Sequence, residues 1–135
     1  MSNALFDPGR EGILDDTIEM SVDDIRVILI RSTYTPFDIT DKFIVDLGAV
    51  DNGRSTALTG KTFTNGIFNA VNTSLVATAA VPVSAVIVFK HTGSDATARV
   101  ICYDDTVVSG LPFTPAAGQT VNILFDTGAN KVFKL

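Results

Sequence analysis

Residues 25 to 32, IRVILIRS, place Ile25, Val27 and Leu29 on one face of an extended chain and Ile28 and Ile30 on the other. Apolar side chains on both faces predict a central strand covered above and below, since a strand with one wet face alternates with polar residues. TSLVATA, SAVIVFKH, TARVICYD and TVNILFD are further strands, and NKVFKL supplies a last one. In KTFTNGIFNA, Asn65 and Gly66 tolerate the positive φ angles of a type I′ turn, which predicts a hairpin. HTGSDAT serves as the loop of a second hairpin.

Helical signals are few. In ALFDPGREGILD, residues 4 to 15, Asp7 can cap a short helix and Pro8 suits its first position, while Gly9 and Gly12 weaken it. DDTIEMSVDD predicts a short strand from Thr17 to Met20 followed by a turn. Residues 32 to 40 form a loop by their Pro and Ser/Thr content. Residues 40 to 48, TDKFIVDLG, fit a strand, but a Thr cap and a Gly stop equally allow one or two helical turns, the preferred reading. Asp51-Asn52-Gly53 reads as a turn. In residues 105 to 119, Pro112 and Pro115 exclude a central strand, which leaves a long loop. Shared among about eight short strands, this pattern defines one antiparallel all-β domain spanning residues 1–135, a sandwich or barrel with small helical decorations. A chain of 135 residues buries enough surface to hold a core without metal or disulfide staples.

Charge changes the picture in one respect. Residues 1 to 51 hold 11 acids against 4 bases, whereas residues 52 to 135 hold 4 acids against 6 bases, within a net charge of -5. Such a field repels phosphate backbones and argues against a nucleic-acid partner. It also gives the molecule unlike ends.

Candidate chemistry is sparse. The single Cys102 lies in the apolar run ARVICYD, where it reads as a small buried hydrophobe, and alone it cannot form an internal disulfide. An iron or zinc site on a β-scaffold needs two or three imidazoles and a carboxylate, and His91 is the only histidine. There is no G-x-S-x-G elbow, and a Cys102–His91 pair lacks a third partner. Asp104 and Asp105 are adjacent, so a strand points them to opposite faces. DLGAVDNGR lacks the alternating acids and terminal Glu of an EF-hand loop. With no Trp in the chain, only Tyr34 and Tyr103 stand as Tyr/Trp-type platforms for a sugar. Asn72-Thr73-Ser74 fits a glycosylation triplet, but no stretch has the length of a signal peptide or membrane helix, so a cytoplasm-like setting is expected. The reading is therefore no enzyme, no cofactor, no metal, no membrane and no small-molecule substrate. The surfaces are left to carry the function.

Two stretches bear a resemblance. Asn3-Ala4-Leu5-Phe6 and Gly9-Arg10-Glu11 at the start, with Gly110-Leu111-Pro112, Thr114-Pro115 and Gly128-Ala129-Asn130-Lys131-Val132-Phe133-Lys134-Leu135 later, resemble a family of small tailed-bacteriophage virion structural proteins. The similarity spans essentially the whole chain and is loose between residues 32 and 80. It implies a capsid decoration or cement protein with a jelly-roll-like β-sandwich and an N-terminal arm over about residues 1–15. The implied partners are the major capsid protein and the chain itself, as a dimer or trimer. Synthesis would be in the host bacterial cytoplasm and residence on the capsid surface of the virion. Alternatives are a tail or head–tail connector protein, or a virion-surface carbohydrate- or receptor-binding module. Expected partner-interface residues are Leu5, Phe6, Leu111, Pro112, Phe113, Phe133 and Leu135.

Overall fold

The computed structural model describes residues 4–34, 39–105, 111–125 and 132–135. The expected turn over residues 126 to 130 lies outside them. In chain order the elements are β1 (Ala4–Leu5), α1 (Asp7–Leu14), β2 (Ile25–Arg31), a 3-10 turn at Ile44–Leu47, β3 (Asp51–Arg54), a 3-10 turn at Thr64–Gly66, β4 (Ile67–Phe68), β5 (Thr73–Val76), β6 (Val83–Lys90), β7 (Val100–Asp104), β8 (Thr120–Ile123) and β9 (Phe133–Lys134). All strand pairings are antiparallel: one five-stranded sheet in the order β1-β7-β6-β2-β3, and two-stranded ladders β4-β9 and β5-β8.

The two faces of β2 separate as its sequence implies. Ile25, Val27 and Leu29 join one cluster with Val86 and Val88 of β6, Leu75 of β5, Val121 and Ile123 of β8, and Phe68 and Phe133 of the β4-β9 ladder. Ile28 and Ile30 join a second cluster with Ile87, Phe89, Phe6 and Tyr103, covered by Tyr34, Ile44, Leu47 and Val50. Each fully buried aliphatic side chain contributes about 1.5–3 kcal/mol, so the five buried side chains Ile25, Val27, Ile28, Leu29 and Ile30 anchor both layers. The result is sandwich-like. The small ladders cover one face of the large sheet, and the chain around the Ile44–Leu47 turn covers the other.

The helix forms one residue earlier than its signals suggest. Phe6 takes the cap position and Asp7 opens α1. Gly9 and Gly12 do more than weaken it. A Cβ on Gly9 would lie 2.8 Å from the Ile101 carbonyl oxygen, and one on Gly12 would lie 2.6 Å from the Ile18 side chain. The missing side chain at Gly9 lets α1 pack on the backbone of β7, and the one at Gly12 leaves room for the Ile18 side chain. Arg99 ties it down from below: Nη2 donates to the Pro8 carbonyl at 2.5 Å, and the guanidinium sits 5.8 Å from the Phe43 ring centre.

Two local expectations are corrected and one, the helical turn within residues 40 to 48, holds. Residues 17 to 20 are not a strand. Asp15 accepts from the Thr17 amide and hydroxyl, and Asp23 accepts from the Glu19 amide, so side-chain bonds coil this segment into turns although Ile18 and Met20 are buried. Residues 40 to 48 do give one helical turn, in 3-10 form and capped at Phe43 rather than by a Thr, with Asp46 accepting from the Phe43 amide at 2.9 Å. Asp51-Asn52-Gly53 is not a turn but β3. It pairs Arg54 with Ile28 and Asp51 with Ile30, so the β3 side carries an extra residue, a bulge taken up by Gly53 at φ +128°.

The hairpin at Asn65-Gly66 has the expected register. Asn65 and Gly66 have φ of 56° and 74°. Thr62 and Asn69 exchange both backbone hydrogen bonds, at 2.9 and 3.0 Å. Phe63 and Phe68 stack across it at 5.7 Å.

Candidate interaction surface

An apolar groove lies beside the β4-β9 ladder. Phe133 pairs with Phe68 and Lys134 with Ile67, and the two phenyl rings are 5.2 Å apart. Across from them, Ile13 of α1 and Met20 of the following turn complete the walls of a groove of about 240 Å³, with Phe63 and Leu135 on its rim. Phe63 is 44% and Leu135 59% exposed, large values for side chains of this kind. Glu11, Asp15, Asp16 and Glu19 belong to α1 and the turns after it, the stretch that also supplies Ile13 and Met20. Hydrogen bonds from Thr17 hold the Asp15 carboxyl below its usual range, which keeps it charged.

Of the residues expected at an interface, Leu135 is on this rim and Phe133 is in its floor, buried against Phe68. Leu5 and Phe6 are buried too. Leu5 pairs with Cys102, and the Phe6 amide donates to the Ile101 carbonyl at 3.0 Å. Their side chains are spent inside the molecule, because an apolar arm beside an open strand edge gains most by closing it. Pro112 is exposed. Leu111 and Phe113 lie partly buried against the main core, where Phe113 pairs with Val83 through bonds of 2.8 and 3.1 Å. The structure thus gathers Phe133 and Leu135 into one groove and leaves the Leu111–Phe113 loop elsewhere. Phe63, Ile13, Met20 and Ile67 were not anticipated there. The hairpin register does place Phe63 opposite Phe68.

A second depression, of about 370 Å³, is lined by Arg31, Ser32, Thr33, Ala49, Val81 and Pro82. Its one charged side chain is already engaged, since Arg31 Nε donates to the Asp51 carbonyl at 3.0 Å.

The isolated chemical candidates are dispersed. Cys102 is buried, and burial, reinforced by the charge of Asp104, pushes its thiol far above the usual range. His91 lies edge-on to Phe89 at 6.4 Å. Tyr34 and Tyr103 are both buried, 6.4 Å apart, and Tyr34 donates to Asp41 at 2.6 Å, so neither offers a ring face to a sugar. Among the described residues, no three His, Cys, Asp or Glu side chains cluster as a metal site would require, and no helix is long and apolar enough to cross a membrane.

The sheet edges differ in how they are finished. The outer edge of β7 is taken by β1, by Phe6, and by residues 42 to 44, whose bonds to Ala98 and Val100 measure 3.0 Å. At β3, the Asn52 carbonyl accepts from Thr78 at 3.2 Å, the Gly53 amide donates to Asp51 Oδ1 at 2.8 Å, and Asn52 Oδ1 takes the Ala79 amide at 3.1 Å. Arg54 then bridges Asp51 at 2.7 Å and Asp95 at 2.8 Å. Among the described residues, none finishes the outer side of β8 in this way.

Set against known protein families, curated proteins and solved structures, the chain matches none of them.

Proposed function

We propose that the chain is a non-enzymatic virion structural protein, a decoration or cement protein that binds the outer head shell through the groove beside β4-β9. The observation that carries this reading is a convergence. The described parts of the two ends that bear the family resemblance meet in space, where Ile13 from the first and Phe133 and Leu135 from the second line one groove, while the Leu111–Phe113 loop lies elsewhere. Exposed aromatic and aliphatic groups on one groove suit an apolar segment of a shell subunit. The jelly-roll-like form and the role of the major capsid protein as partner belong to the same proposal. The buried Tyr34 and Tyr103 weigh against the sugar-binding alternative.

The test adds purified protein to capsids that lack it. Saturable binding with a more stable shell is expected. A Phe63→Ser, Leu135→Ser double variant should fold and bind at least about tenfold more weakly, since hot-spot apolar contacts are each worth about 1–2 kcal/mol. Recovery of the protein only in tail fractions would overturn the proposal.

A further inference from the structure

Among the described residues, β8 is paired on one side only. Its residues Thr120 to Ile123 run against Val76 to Thr73 of β5. In an antiparallel ladder the hydrogen-bonding direction alternates residue by residue. Ala77 donates to the Gln119 carbonyl at 2.9 Å, and Phe125 donates to Asn72 Oδ1 at 2.9 Å, so Gln119, Val121, Ile123 and Phe125 turn their backbone groups toward β5. Thr120, Asn122 and Leu124 turn theirs the other way. No hydrogen bond reaches those outward groups from any described residue. All three side chains are exposed, Leu124 by 55%.

Natural edges of this kind are usually guarded by a lysine, a proline or a bulge. Here β8 has none of them, and no charged residue occurs between Asp105 and Asp126. The chain has a net charge of -5, which disfavours close approach of two copies, and a neutral strip adds nothing to that repulsion. The strip also matches itself. A two-fold axis at Asn122 puts Asn122 opposite its own copy, where two carboxamides can bond to each other. It puts Thr120 opposite Leu124, a methyl against an isobutyl group, on both sides of the axis. The inward residues Val121 and Ile123 face each other in the same register and continue the main core across the junction.

We infer that β8 pairs antiparallel with β8 of a second copy of this chain, joining two β5-β8 ladders into one four-stranded sheet. Its outward amides and carbonyls supply the bonds, and its lack of charge selects a like partner. This contact is separate from the shell-binding groove and does not depend on that reading.

The molar mass of the purified full chain, followed by sedimentation over a wide concentration range, tests it. A dimer that dissociates on dilution is expected. Asn122→Lys sets two ammonium groups across the axis and should weaken the dimer about tenfold or more while the melting temperature holds. A Thr120→Lys, Leu124→Glu pair should dimerise with salt-sensitive affinity, whereas Thr120→Lys, Leu124→Lys should stay monomeric. A monomer at every concentration overturns the inference, as does a dimer indifferent to Asn122→Lys, or equal behaviour of the two double variants.

Discussion

β3 and β8 are both four-residue strands at the margins of their sheets, yet they are finished in opposite ways. β3 is sewn shut: Thr78, Ala79 and the carboxylate of Asp51 take up its outward polar groups, and Arg54 clamps the corner. At β8 no described residue bonds to the outward groups of Thr120, Asn122 and Leu124, and the strand carries no charge. The lesson is that composition alone does not tell an interior edge from a docking edge. DNGR looks like a turn and is a closed strand, while TVNILF looks like a buried strand and is an open one.

The contrast can be broken first at Gly53. A Cβ there would lie 2.3 Å from the Val76 carbonyl oxygen, at a φ of +128° that side chains rarely adopt. Gly53→Val should therefore cost about 3 kcal/mol or more in chemical denaturation. Asn52 comes next: it is fully buried and its amide holds Ala79 on both sides. Asn52→Ala should cost about 1–3 kcal/mol, because it strands the Ala79 amide and carbonyl.

The Arg54 clamp is weaker and depends on pH. Hydrogen bonds from Arg54 hold the Asp95 carboxyl below its ordinary value of 3.8. A lowered carboxylate stabilises the fold above that value, and the contribution fades as pH falls through the folded one. Asp95 is half exposed, so solvent screening keeps the effect of Arg54→Gln under about 1 kcal/mol near neutrality. Stability curves of the parent and this variant should converge as the pH drops below 3.8. The smallest effect lies on the open edge: Asn122→Lys should change monomer stability by less than about 0.5 kcal/mol, a result that would separate a free edge from a structural one.

Much of the architecture is legible along the chain. The split of Ile25, Val27 and Leu29 from Ile28 and Ile30 follows from alternation alone, and the Asn65-Gly66 turn fixes the register that brings Phe63 onto Phe68. These are local rules. What escaped is non-local or made by side chains. β3 exists because a glycine absorbs a bulge and because Asn52 finds a loop about 27 positions away. Residues 17 to 20 leave the extended state because Asp15 and Asp23 bond to their own backbone neighbourhood. The groove was half visible: Phe133 and Leu135 were singled out, but Ile13 and Met20 arrive from the far end of the chain. The identity of β8 as an edge rests on strand order, which no window of sequence contains.

Residue-resolved amide hydrogen exchange, run at high and low protein concentration, tests the contrast most directly. The account predicts that Val121 and Ile123 exchange slowly at both concentrations, protected by β5. It predicts that Thr120, Asn122 and Leu124 are slow when concentrated and fast when dilute, while Gly53 is indifferent to concentration. Fast exchange of all three outward amides at both concentrations would contradict the pairing, and slow exchange at both would contradict the open edge.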